Sequence, residues 1–331
     1  MKLKKCAALL LVSSCLLTGC TTSSAKKVDS KYVVASLEKG NKTKNIFADN
    51  LYKDIIDNSS NNSTVFNAVL QNLVDQKFPV NDDMKEDAAT IIKQIKSAYK
   101  SNYGDNYKDS LNQALTSAGY KNLSEYRQRI IKQIQYANFL LDYIDDHFDD
   151  VFNDYYQQCA PKYVSLIKIS VSDTSSPTDD ETSKLNEVKE LISNTDKSFG
   201  DIAQDYSDDS TSSKKGSLGI VDSKDTSGIA NSYGKDVFNA IEALSEGQVS
   251  DVITGDDGYY FVKVTSTDKK TLKKELKKTD IDSPLLAYDD YLQYVVYNSY
   301  KINYKDKDIK KIVQEVVNKA LEERKTERGE A

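Results

Sequence analysis

At Ala160-Pro161 the hydrophobic periodicity of this 331-residue chain changes from that of helices to that of strands, and past residue 268 it changes back. Apolar residues recurring every three to four positions bury one stripe of a helix. β-Branched runs between turn residues are buried as strands. Such a chain is neither a lone helical bundle nor a lone sandwich. It reads as α+β, with helical segments at both ends and a small antiparallel sheet packed with helices between them.

Lys31 to Leu37 reads as a short strand ending in the turn Lys39-Gly40-Asn41. A helical texture follows to about residue 157. Ile46, Leu51, Tyr52, Ile55 and Ile56 make one apolar stripe, and Val65, Val69, Leu70, Leu73 and Val74 a second. Residues 83–101 and 107–117 predict two more helices, the latter stopped by Gly119. Asn122 with Glu125 forms a capping box that opens a helix to about Ile144, and another runs toward Gln158. Between residues 161 and 267 the pattern is β-α-α-β-α-β. Its strands are Tyr163 to Val171, Leu218 to Val221 and Gly258 to Thr265; its helices carry Leu185 and Val188, Phe199 to Tyr206, and Val237 to Leu244. Lys269 to Lys278 reads as a charged linker, Leu285 to Tyr300 as a Tyr-rich helix and Ile309 to Leu321 as a last amphipathic helix. The last two have no core of their own, so they are expected to pack back on the N-terminal helices. The division is then 31–158 plus 279–331 for a helical domain and 161–267 for an inserted one.

The first residues carry a different signal. Met1-Lys2-Leu3-Lys4-Lys5 is positive, and Cys6 to Leu17 is apolar but too short to span a bilayer. The run ends in Leu17-Thr18-Gly19-Cys20, which resembles the bacterial lipobox. Residues 1–19 are therefore expected to be a lipoprotein signal peptide, Cys20 the lipidated residue, and 20–30 a small, polar tether. Removing 1–19 takes away three lysines and no acid, moving the net charge from −6 to −9. Cys159 is then the one cysteine that lipid does not block, and it is expected to be a buried structural thiol.

Composition excludes several classes. With a single histidine, His147, no His-based zinc site can be built, and a Ser-His-Asp triad would rest on that residue alone. His147 lies among Asp145, Asp146, Asp149 and Asp150, read as a solvated acidic face. No long basic block marks a nucleic-acid site. No metal or cofactor is implied.

Three stretches of the middle unit resemble parvulin-type peptidyl-prolyl isomerases. They are Phe199 to Ser210 (FGDIAQDYSDDS), Lys215 to Gly219 (KGSLG), and Leu244 to Thr254 followed by Asp257 to Val264. With the lipobox and flanking helices, the whole chain resembles the extracellular foldase lipoproteins of the PrsA family. The resemblance implies a membrane-anchored protein on the outer face of a Gram-positive cell membrane that assists unfolded secreted polypeptides, with a homodimer left open. It also implies prolyl isomerase chemistry, which lowers a barrier of about 18–20 kcal/mol to rotation of the amide. A dry pocket holding the proline ring and fixed polar groups would favour the twisted state.

By that resemblance Asp209 falls on the family's Cys/Asp position and Thr254 on its Thr. Tyr233, with Val237 or Phe238, falls near the positions that line the proline pocket. The two family histidines fall on Leu166 and Tyr260, so both are absent. Isomerase activity is accordingly expected to be weak or absent. A client-holding chaperone with a degenerate parvulin domain is the alternative, its holding surface an apolar or aromatic cleft in the helical domain. Tyr288, Tyr291, Tyr294, Tyr297 and Tyr300 are read either as that surface or as core. A solute-binding lipoprotein is disfavoured by the long helical N-terminal region.

Overall fold

The computed structural model describes residues 27–39, 42–194, 196–276, 281 and 283–330. The expected signal peptide, Cys20 and residues 21–26 of the expected tether lie outside them. In chain order the elements are β1 (Lys27–Val28), β2 (Lys31–Lys39), β3 (Lys42–Phe47), α1 (Ala48–Ile56), α2 (Asn62–Lys77), α3 (Asp82–Tyr103), α4 (Tyr107–Ser117), α5 (Leu123–Asp146) and α6 (Phe148–Cys159). The middle region holds β4 (Lys162–Ser170), α7 (Asp179–Asn194), α8 (Phe199–Tyr206), β5 (Ser217–Val221), α9 (Ile229–Tyr233), α10 (Lys235–Ala243), β6 (Ile253–Gly255) and β7 (Gly258–Ser266). Then come α11 (Lys269–Leu276), α12 (Leu292–Ser299) and α13 (Lys307–Glu327). The fold is α+β, as expected.

The chain forms two compact units, one of Asn81–Asp290 and one of the residues through Val80 together with Tyr291 onward. In the second unit α13 packs on α2, so the last helix does return to an N-terminal one. Phe66 of α2 stacks on Tyr294 at 5.0 Å and meets Tyr297 edge-on at 5.1 Å. β1, β2 and β3 form an antiparallel sheet against which α1 packs.

Four local expectations are corrected. Ile46 belongs to β3 and not to a helical stripe. Residues 27–30 form β1 and its turn, so they are not tether. The charged linker is largely the helix α11, held by buried Leu272 and Leu276. The Tyr-rich segment is a single-turn 3-10 helix at 284–286 followed by the separate α12.

In the first unit, α3 to α6 form a helical layer. Asn122 caps α5 by accepting from the Glu125 N–H at 3.0 Å, but the Glu125 carboxylate accepts from the Lys121 N–H at 2.7 Å, one residue before the box position. His147 ends α5, its ring stacked 4.1 Å from that of Tyr143. The sheet has the order β5-β4-β7-β6, all antiparallel. Both faces of β4 are covered. Val164 and Leu166 join Val221, Ile229, Val237, Ile241, Tyr260 and Val262 on one side. Ile167 and Ile169 join Leu185, Val188, Phe199, Ile202 and Phe261 on the other. A strand buried on both faces carries apolar residues at successive positions, as β4 does at Tyr163-Val164 and Leu166-Ile167.

Candidate active site

β5 pairs with β4 only as far as Ser165, which leaves the outer edge of β4 from Leu166 to Ser170 without a strand partner on that side. The loop between α8 and β5 supplies those bonds. The Leu166 N–H donates to the Gly216 carbonyl at 2.8 Å, and the Lys168 N–H to the Ser207 hydroxyl at 3.0 Å. The Asp208 N–H donates to the Lys168 carbonyl at 2.8 Å, and the Ser170 N–H to the Asp208 carboxylate at 2.9 Å. The motif around Ser207-Asp208 and the one around Gly216 are therefore two ends of one device that completes a sheet edge. Gly216 is at φ +76°, and a Cβ there would lie 2.4 Å from the Leu166 carbonyl oxygen.

That loop holds Asp209 beside the sheet, 9% exposed. One carboxylate oxygen accepts from the Thr211 N–H at 2.8 Å and from the Tyr233 hydroxyl at 3.4 Å. Tyr233, at the end of α9, meets the Tyr260 ring edge-on at 6.1 Å. Val237 is buried in the cluster around Leu166 and Tyr260, and Phe238 packs against it. The structure thus brings Asp209, Tyr233, Val237, Phe238, Leu166 and Tyr260 to one side of the sheet.

Thr254 does not join them. It is exposed on β6 and in register with Tyr259, whereas Ile253 is in register with Tyr260. Directly paired residues share a face and neighbours alternate, so Thr254 is on the opposite face from Tyr260. Leu166 is fully buried among apolar side chains and offers no polar atom where a histidine is expected.

Lys168 and Asp257 also belong to the site, though they were not expected there. Tyr260 donates its hydroxyl proton to Asp257, which also pairs with the Lys168 ammonium. The same ammonium lies 5.6 Å from the centre of the Tyr260 ring. Lys168 is the one charged residue within the apolar run of Tyr163 to Val171, a signal that was available in the sequence. The role of Asp257 depends on the β6–β7 turn and had no such signal. Gly255 gives Tyr260 its room, since a Cβ there would lie 2.6 Å from the ring. Thr211 contributes a buried hydroxyl oxygen with no hydrogen-bond partner, next to Asp209.

The electrostatics follow from these contacts. Burial pushes the Tyr260 hydroxyl pKa well up, and its bond to Asp257 and the nearby carboxylates push it further. Burial, the charge of Asp209 and the bond to it raise Tyr233 in the same way. Burial would raise Asp257, but the hydrogen bonds from Lys168 and Tyr260 and the charge of Lys168 outweigh it and hold the carboxyl below its ordinary range. At neutral pH the site therefore presents two un-ionised phenols. These phenols can donate hydrogen bonds to an amide while the buried walls desolvate it.

Residues 166–266 match the family model described as the rotamase, PPIC-type PPIASE domain. The chain is 32% identical to the foldase protein PrsA of Staphylococcus aureus over 141 residues, and the match covers 40% of this chain and 41% of that protein. It matches PrsA of Staphylococcus epidermidis at the same identity and coverage. The chain thus spans about two fifths of the length of the curated relatives it matches. Among solved structures, PrsA from Bacillus subtilis aligns over 85% of this chain and 98% of its own, at 21% identity and a TM-score of 0.39. PrsA from Streptococcus pneumoniae covers 85% and 99%, at 19% identity and a TM-score of 0.38. Residues 166–266 thus resemble a PPIC-type rotamase domain, and over 141 residues the chain is similar to PrsA foldases.

Proposed function

We propose that this chain is a lipid-anchored extracellular foldase that assists secreted polypeptides after translocation, and that it acts more by holding clients than by turning prolyl bonds. In this reading 161–267 is the inserted rotamase unit, and 31–158 with 279–331 the chaperone part. The observation that carries the division of labour is at the sheet. Leu166 is sealed in the core, and the Tyr260 hydroxyl is already committed to Asp257. What remains for isomerisation is desolvation together with the Asp209–Tyr233 pair.

A holding surface is available elsewhere. In the unit built on α1, α2 and α13, Tyr52, Ile55, Val65, Val69, Leu73 and Ile309 line an open groove of about 450 Å³. Its apolar walls can accept side chains of an unfolded segment without sequence-specific hydrogen bonds. The test is suppression of aggregation of an unfolded secreted protein. Val69→Asp, which puts a charge in the groove wall, is expected to weaken suppression several-fold while leaving peptide isomerisation unchanged. Undiminished suppression by Val69→Asp would remove the groove from the reading.

A further inference from the structure

The sheet of β1, β2 and β3 has one covered face and one open face. Val33 and Phe47 are cross-strand partners and half-buried, and on the side of Val33 Lys31 pairs with Asp49 in the first turn of α1. Lys27 is the partner of Tyr32, with its ammonium 4.6 Å from the ring centre, and both are exposed. Tyr32 alternates with Val33 and Ile46 with Phe47, so Tyr32, Ile46 and Lys44 share a side, while Val34 sits in the bulge and is exposed. Ile46 is the partner of Ala35, directly after the bulge that isolates Val34 between Val33 and Ala35. Tyr32, Val34 and Ile46 are 48%, 45% and 44% exposed. The open face therefore shows lysines flanking Tyr and β-branched residues.

The strand segment that carries this face is opposite in charge to the rest of the chain. Residues 26–47 contain six lysines against two acids, whereas residues 48–331 contain 36 Lys and Arg against 49 Asp and Glu. Asp29 lies in the β1–β2 turn, Glu38 is the partner of Thr43, and Asp49 pairs with Lys31. Six residues lie between Cys20 and Lys27, and the seven steps from one to the other allow at most about 25 Å of extended chain.

We infer that this open face is an interfacial surface that lies on the anionic bilayer to which the chain is tied. The inference rests on the anchored reading above. A lipid at Cys20 keeps the sheet within reach of the headgroups. The lysines then meet anionic headgroups while Tyr32, Val34 and Ile46 enter the boundary region, the division of roles that amphipathic membrane surfaces use. The acidic remainder of the chain is repelled from the same surface.

The chain contains no Trp, so Tyr32→Trp in the mature chain with Cys20→Ser gives an unlipidated protein with one reporter on this face. With phosphatidylglycerol vesicles at low salt its emission should shift to the blue and be quenched by brominated acyl chains. Phosphatidylcholine vesicles should have little effect. Adding Lys27→Glu and Lys44→Glu should lower partitioning at least tenfold, and Val34→Ser with Ile46→Ser should remove the quenching while circular dichroism stays unchanged. No response to phosphatidylglycerol, an equal response to both lipids, or a vesicle-independent shift that grows with protein concentration would overturn the inference, the last by making a second copy the occupant. Mass spectrometry of native Cys20 separates the two claims. A free thiol removes the anchor and leaves the vesicle result standing, and a lipidated Cys20 without vesicle response does the opposite.

Discussion

Gly216 shows how tightly the rotamase motifs are bound to the sheet edge. A Cβ at this position would meet the Leu166 carbonyl oxygen at 2.4 Å and the Ala203 Cβ at 2.8 Å, from a φ of +76°. Gly216→Ala should therefore destabilise by about 2 kcal/mol or more, through contact and backbone strain together, read as a fall in the urea midpoint. Asp257 tests the site by pH. Its carboxyl is held below the ordinary value of 3.8, so its stabilising contribution is present above that value and is lost as pH falls through the lowered one. Asp257 is largely exposed, which screens the pair with Lys168. Asp257→Asn should therefore cost only about 0.5–1 kcal/mol at pH 6, and the difference from wild type should shrink toward pH 3. A cost that does not shrink as pH falls through that lowered value would mean the carboxylate charge is not what matters. Asp209, Tyr233, Val237, Phe238, Leu166 and Tyr260 were named by the family resemblance alone, and they lie on one side of the sheet. Thr254 could not be placed, because its face depends on the register of the β6–β7 hairpin.

Among the elements, α10 depends on a residue distant in sequence. Lys162, at the start of β4, donates to the carbonyls of Ile241 at 3.0 Å, Glu242 at 2.6 Å and Leu244 at 3.0 Å. It satisfies the free carbonyls of the α10 C-terminus and places a positive charge at the negative end of the helix dipole. Lys162→Met should cost about 1–3 kcal/mol, measured by denaturant unfolding, and should loosen Val237 and Phe238 with α10. An unchanged midpoint would show that water replaces the ammonium without loss. The helices α3 to α6 were legible because each buries one stripe of apolar residues. β3 was not, since Lys-Thr-Lys-Asn precedes Ile46 and Phe47 and little of the strand is apolar. α11 was missed because two buried leucines in a Lys-rich octamer give too little pattern. The tyrosines of 288–300 line no single face. Tyr288 is buried, with its hydroxyl on Asp154, and Tyr297 is buried in the other unit with its hydroxyl on Tyr304.

For the whole molecule, the change of texture at residue 160 marks where periodicity changes, not where contacts end. The Tyr155 hydroxyl of α6 donates to buried Asp222 at 2.8 Å, and the Ser223 N–H donates to the Cys159 carbonyl at 2.9 Å. Bonds of this kind group α3 to α6 with the rotamase sheet in one compact unit, and no periodicity could have revealed them. Holding and isomerising are assigned to different places in the chain, and this division is the central claim. The direct measurement is made on the full mature chain and on Asp209→Ala, with isomerisation of a short X–Pro peptide and suppression of client aggregation read from the same preparations. The expected result is a wild-type isomerisation rate only slightly above the uncatalysed one, an excess that Asp209→Ala removes, with suppression of aggregation unchanged. A wild-type rate matching that of ordinary parvulins, or loss of aggregation suppression in Asp209→Ala, would contradict it.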